Sequence, residues 1–405
     1  MVIRLPIVCE ICGHQTILRI GLGHESVQEH VFACPGCAQD LSIVLDLSKP
    51  PNVGVARLSN IKEIVDNQEL KSPTILNLHP EFIIPEGDRN RDQVFPWLEQ
   101  GHALIKKQMN NLERSARLSD ADSLLKDETD GRLTVFEAWQ LVSRSWSLEI
   151  EGKRDLSKLQ LAKYNAKGFS GSTSLPEVAF HFLSSALGPV AKELLLPAAD
   201  CMGEAYDANP IELDRFREYY QTEQIDVATR DVYSVLEEFF RSYADFRQAL
   251  VYVRFGLPLP SKAAATTENF RITSMYYGNA FEVLADRAVL LAGINNILAG
   301  RKYDQFEKMD LKTYLQIDKA GKARAFQSRL EFARLVNEFD NQLRNASHHK
   351  RIRINRGSGK IEYQTRQMAE AKKMSYATYL VRCCSITVNL AVIYMLELML
   401  TVDPD

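Results

Sequence analysis

The sequence predicts a mainly α chain: a C-terminal four-helix bundle interrupted by a β-hairpin, a helical middle region and a small N-terminal β ribbon. Three observations predict it. Two Cys-x-x-Cys pairs, Cys9/Cys12 and Cys34/Cys37, stand 21 residues apart among short alternating apolar runs. From about Leu98 onward apolar residues recur at steps of three and four, the period of a helix with one buried face. Between the last two helical runs, Arg351 to Thr365 alternates charged and apolar residues around Arg356-Gly-Ser-Gly359, as a hairpin does.

The ribbon is read as residues 1–48. Gln15 to Leu22 and Val27 to Phe32 are its first strands, and Leu41, Ile43, Leu45 and Leu47 alternate with Ser42, Val44 and Asp46. Two knuckles supply four thiolates, which complete the tetrahedron that structural zinc prefers. Zinc held by Cys9, Cys12, Cys34 and Cys37 is therefore expected to be structural, with His14, His24 and His30 as substitute ligands only. A redox Cys-x-x-Cys is the competing reading, but it needs no second copy. Cys201, Cys383 and Cys384 read as buried thiols. Lys49 to Gly54, with Pro50 and Pro51, reads as a linker.

The middle region, 70–225, has room for a short strand between Thr74 and Ile84 and is helical beyond Leu98. Two apparent motifs in it are set aside. Lys126 to Glu137 has the glycine and glutamate of a calcium loop, but Lys126 stands where the first oxygen ligand belongs. A turn at Asp130-Gly131 and a Thr134/Glu137 capping box account for the same letters. Gly168 to Ser172 has serine where a hydrolase nucleophile elbow needs glycine, and reads as a loop.

The last domain, 226–405, shows four long helical segments, at about 227–254, 267–299, 322–346 and 367–400. In the last of these Tyr376, Leu380, Cys383, Thr387, Leu390, Tyr394 and Leu398 form a stripe that would face the bundle or a partner. Cys383 to Leu400 is apolar enough to raise the question of a membrane span, but Asn389 and Glu397 interrupt it and no basic anchor follows. A buried bundle or dimer helix is expected, and no membrane.

With 49 Lys and Arg against 52 Asp and Glu, the whole chain carries no charge signature of nucleic-acid binding, so such a surface must be local. It is local: Asn341 to Lys373 holds nine Lys and Arg against two Glu. The N-terminus lacks the apolar core of a signal peptide, which points to the cytoplasm.

That basic stretch opens with Asn341 to Lys350, in which Arg344 is followed by the polar Asn345 and, four intervening residues on, by His349. A guanidinium that stays cationic and an imidazole that titrates near neutrality suit phosphodiester chemistry. The motif follows a run with apolar Phe326, Leu330, Ala333, Val336, Phe339 and Leu343, and precedes a hairpin and a long apolar helix. The arrangement, over about 227–405, resembles the HEPN superfamily (higher eukaryotes and prokaryotes nucleotide-binding), whose signature is Arg, a polar residue, then His. The resemblance implies a metal-independent endoribonuclease whose Arg/His pairs meet across a homodimer. His349 would then be the general base and Arg344 would stabilise the phosphorane. Asn345 would position one of the two, and His348 would be a phosphate contact or general acid. Lys350, Arg351, Arg353 and Arg356 would bind RNA, and Glu282 or Asp286 would orient the pair. By analogy the enzyme would be regulated, as a toxin or antiviral defence effector with a phage-derived or other trigger. The alternative is a non-catalytic dimerisation scaffold whose zinc ribbon binds nucleic acid or a protein partner.

Overall fold

The computed structural model describes residues 2–23, 26–49, 52–63, 70–78, 83–92, 94–111, 134–167, 171–260, 262–265, 270–355, 359–364 and 371–401. Helices dominate it, as the sequence predicts. The chain divides into two compact units, one built from residues 1–110, 242–277 and 342–384, the other from 111–241, 278–341 and 385–405.

The first unit begins with two small sheets. β1 (Val2–Cys9) and β2 (Gln15–Gly21) form an antiparallel hairpin, β6 (Ile61–Glu63) pairs outside β1, and β7 (Thr74–Leu78) lies parallel to β2. β3 (Val27–Ala33), β4 (Asp40–Lys49) and β5 (Asn52–Ser59) make an antiparallel meander. Ile7, Leu18, Ile20, Leu41, Ile43, Leu45, Leu76 and Leu78 close a common core. The ribbon therefore does not end at residue 48. Lys49 pairs with Asn52, and Val53 and Leu58 pack on the core, so Lys49 and Asn52 to Gly54 of the expected linker belong to strands β4 and β5. Pro50 and Pro51 themselves, like His24, lie outside the described residues.

The same unit continues with β8 (Ile84–Pro85), α1 (Pro96–Asn111) and, after a long absence, α7 (Tyr243–Arg254) and β9 (Ala263–Ala264), which pairs with β8. Gln248 ties these parts together, its Oε1 accepting from Ile83 N–H at 2.8 Å and its backbone oxygen from Gln100 Nε2 at 3.1 Å. Residues 270–277 of α8 (Phe270–Leu298), then α11 (Asn341–His348) and a three-stranded meander follow: β10 (Ile352–Asn355), β11 (Lys360–Tyr363) and β12 (Lys372–Ser375). The expected hairpin is present. A third strand extends it, so the last helix, α12 (Tyr376–Thr401), starts later than expected.

In the second unit α2 (Val135–Ile150) starts at the expected capping box, with Thr134 Oγ1 accepting from Glu137 N–H and Glu137 Oε2 accepting from Thr134 N–H. Lys126 to Arg132 of the rejected calcium motif, and Gly168 to Ser170 of the rejected elbow, lie outside the described residues. α3 (Arg154–Asn165), α4 (Leu175–Ala208), α5 (Pro210–Tyr219) and α6 (Ile225–Arg241) follow. α4 kinks at Gly188, whose φ of 69° precedes Pro189, and a π turn, Tyr220–Gln224, separates α5 from α6.

The expected 322–346 helix does not form. In its place are a 3-10 segment (Lys319–Ala325), α10 (Leu330–Ala333), a second 3-10 turn (Arg334–Val336) and α11, with α9 (Leu311–Gln316) upstream. The apolar stripe is buried only in part: Phe326, Val336 and Leu343 are buried, Ala333 and Phe339 are half-buried and Leu330 is exposed, while Phe332, Leu335 and Ala346 supply the rest of the buried surface. Short turns deliver it instead of one helix. Asn337, Asp340 and Asn341 are residues whose side chains compete with helical backbone bonds. Asn337 Oδ1 accepts from Asn389 Nδ2 of α12 at 2.8 Å.

Candidate functional site

The four cysteines predicted to hold a metal converge, all Sγ atoms lying within 4.8 Å of one another. A tetrahedral ion at about 2.3 Å from four sulfurs spaces them by about 3.8 Å. The cross-knuckle separations are 3.9 Å for Cys9–Cys37 and 3.6 Å for Cys12–Cys34. The backbone explains the convergence. Each knuckle closes with the N–H of the residue after its second cysteine on the first cysteine's oxygen: Gly13 to Cys9 at 2.9 Å, Ala38 to Cys34 at 2.9 Å. Both closing residues are left-handed, Gly13 at φ 73° and Ala38 at φ 59°, and Gly36 N–H points at Cys34 Sγ, 3.4 Å away. As thiols the four differ. Burial pushes Cys34 up to about 12, while at Cys9 the backbone N–H donors of Cys12 and Ile11 outweigh burial and bring it to about 7. Sulfurs of different knuckles approach as closely as ligands of one ion do, which suits a shared ion better than a redox Cys-x-x-Cys. His14 is committed elsewhere, its Nε2 lying 2.9 Å from Thr74 Oγ1, and His30 is buried in β3.

The second candidate is α11. Leu343, Ala346 and Ser347 are buried, and Ser347 Oγ donates to Ser274 O of α8 at 2.6 Å. Arg344 and Asn345 are half-buried, with Arg344 Nη1 donating to Asn345 Oδ1 at 2.7 Å. His348 and His349 are exposed. Positions four apart share a helix face, so α11 aligns Arg344 with His348, whereas His349 caps the helix end. Lys350 at φ 54° donates to Ser347 O, and Arg351 N–H to Ala346 O at 2.8 Å, which terminates the helix as a Schellman motif.

The chain then enters the basic meander. Register places Arg353, Glu362 and Lys373 opposite one another, and Asn355, Lys360 and Ser375 likewise. Side chains alternate across a strand, so Arg353, Lys360 and Lys373 share the exposed face, while Ile352, Ile361 and Tyr363 are buried on the other. Lys373 pairs with Glu362 at 2.9 Å. Arg356 lies outside the described residues.

The two carboxylates proposed to orient the pair are engaged by lysines. Lys319 Nζ lies 2.8 Å from Glu282 and 2.6 Å from Asp286, and Lys322 Nζ lies 3.0 Å from Asp286. Sequence reading also passed over a buried polar group in the second unit. Glu397, fully buried in α12, accepts from Tyr220 OH of the π turn at 2.6 Å. Burial raises its pKa to about 7 against the pull of Arg287, itself 4 % exposed. The interruptions at Asn389 and Glu397 were the available signal. In comparisons with known proteins, no family model, no curated protein and no solved structure matches the chain.

Proposed function

We propose that the chain is a metal-independent endoribonuclease of HEPN type, with α11 supplying the chemistry, the basic meander binding RNA and a zinc ion organising the ribbon. The observation that carries the reading is the end of α11. A half-buried guanidinium fixed by its neighbour's amide and two exposed imidazoles stand immediately before a strand whose exposed face is basic. His349 removes the proton from an RNA 2′-hydroxyl, whose oxygen bonds to the adjacent phosphorus as the P–O5′ bond breaks. The products are a 2′,3′-cyclic phosphate and a 5′-hydroxyl, the leaving oxygen taking its proton from His348 or water. Arg344 stabilises charge on the equatorial oxygens, and Asn345 holds that guanidinium in place. An unregulated nuclease would cut its host's RNA, so a triggered toxin or defence effector is the matching role.

A homodimer belongs to this proposal, but not through the apolar stripe of α12. All seven stripe residues are buried within the single chain, and 89 % of the helix's most apolar window is buried. A second copy must use another face.

The second reading is an RNA- or protein-binding scaffold without cleavage. It is favoured by the lysines that hold Glu282 and Asp286. Incubating purified protein with total RNA and EDTA for a short time separates the two. Cleavage that leaves cyclic phosphate ends and is lost in His349→Ala supports the nuclease. Equal cutting by parent and variant, or a need for magnesium, rejects it.

A further inference from the structure

The exposed face of the β10–β12 meander runs into a cavity of about 360 Å³. Four separate stretches of the first unit line it: Glu86, then Leu259 and Pro260 with Lys262 and β9, the start of β11 at Gly359 and Lys360, and Ser375 at the end of β12 with Thr378 of α12. Backbone bonds fix this assembly. Glu86 N–H donates to Lys262 O at 3.0 Å, and Tyr376 N–H to Gly359 O at 3.0 Å.

Its lining chemistry is that of an anion pocket. Lys262 and Lys360 come from distant parts of the sequence, and among the described residues neither is in an ion pair and Glu86 is the one carboxylate in the lining. A third cation stands close by, since Arg89 Nη1 lies 3.8 Å from where a Cβ on Gly359 would sit. Two hydroxyls complete the wall, Ser375 Oγ and Thr378 Oγ1, 2.8 Å apart. Lys360 and Ser375 occur both in the cavity lining and on the sheet face that carries Arg353 and Lys373. The cavity thus adjoins the face that carries Arg353 and Lys373, and its volume suits one nucleotide with its phosphate.

We propose that this cavity is a phosphate-recognising nucleotide pocket, in which Lys262 and Lys360 seat one nucleotide of an RNA strand lying along the meander. The RNA source rests on the functional reading above, whereas the phosphate chemistry rests on the cavity alone. Lys262 sits at φ 50°, a backbone conformation that side-chain-bearing residues adopt at a cost, and the pocket gives that placement a purpose.

The test reads binding apart from cleavage. Full-length protein carrying His349→Ala is titrated by fluorescence anisotropy with a labelled single-stranded RNA of about ten nucleotides, and separately with 5′-AMP and inorganic phosphate by calorimetry. Adding Lys262→Glu or Lys360→Glu should weaken RNA binding about tenfold or more and lower the slope of log affinity against log salt by about one per lysine removed. 5′-AMP should bind the parent and lose affinity in the same variants. Lys262→Gln controls for damage by the reversed charge and should fall between parent and Lys262→Glu, with unfolding temperatures unchanged in all. If 5′-AMP binds through Lys262 but RNA does not bind at all, the pocket stands as a free-nucleotide site and the RNA reading falls. If RNA binds the parent and both lysine variants equally, or no phosphate-bearing probe binds, the pocket proposal is overturned.

Discussion

Glu397 is a carboxylate enclosed in an apolar helix, with Tyr220 on one oxygen and Arg287 near enough to attract it. Its folded pKa of about 7 lies above the usual 4.5, so the fold binds its proton more tightly than the unfolded chain does. The associated stability is fully present below about pH 4.5 and is lost as pH rises through 7. Over that window the loss is about 3 kcal/mol for one fully buried group. Glu397→Gln, which keeps the acceptor for Tyr220, should therefore gain on the parent by about that amount between pH 5 and 8 in denaturant titrations. Parallel pH profiles for the two proteins would refute the assignment. In the knuckles, a Cβ on Gly36 would stand 2.9 Å from His14 Cβ. Gly36→Ala should cost about 1–3 kcal/mol by displacing that ring from Thr74, whereas Ala38→Gly should gain about 0.5–1 kcal/mol by relieving its left-handed backbone. If α11 cleaves RNA as proposed, Arg344→Lys should lose most of that activity, because one ammonium cannot make a guanidinium's two-pronged phosphate contact. Full activity in that variant would remove Arg344 from the mechanism.

Among elements, α11 is the one whose local design differs most from its appearance in the sequence. It is an eight-residue helix with its own C-terminal cap, not the tail of a long one. Its cap residue is Lys350, held at φ 54° where glycine is favoured. Lys350→Gly should raise stability by about 0.5–1 kcal/mol while removing one positive charge beside the meander. The expected outcome is a higher unfolding temperature with weaker RNA binding, and a fall in stability would show that the cap is not strained. Helix pitch sets His348 over Arg344, which suits it to the general-acid role in the proposed mechanism. On that proposal His349→Ala should lose more RNA cleavage than His348→Ala, and the reverse order would move the base to His348.

For the whole molecule the cysteines divide by location. Cys9, Cys12, Cys34 and Cys37 converge in the ribbon, while Cys201, Cys383 and Cys384 are buried elsewhere. Purified protein should carry one zinc per chain. Prolonged chelation should release it and expose four fast-reacting thiols, with all seven reacting only after denaturation. Because the ribbon core extends through Leu76 and Leu78, zinc loss should also melt strand signal contributed by residues well beyond 48. Seven fast thiols, or none, would reject the site.

How much of this was legible follows from the range of the forces involved. Cys-x-x-Cys knuckles, the Thr134 cap, the meander's first hairpin and the apolar period of α8 and α12 are set by residues a few positions apart, and the sequence alone determined them. In 322–346 it marked Phe326, Val336 and Leu343, which become buried, together with Leu330, which stays exposed. Tertiary structure decided the rest. The ribbon runs past its two prolines because β5 and β7 find partners in β4 and β2. The 322–346 run is broken into short turns, within which Asn337 bonds Asn389 from 52 residues away. The stripe of α12 is buried within the chain, and Asp286 is held by Lys319 and Lys322. The cavity gathers Lys262, Lys360 and Ser375 from three distant stretches. Local spacing carries no information about which distant partner a polar side chain will meet, so these pairings exist only once the chain has folded.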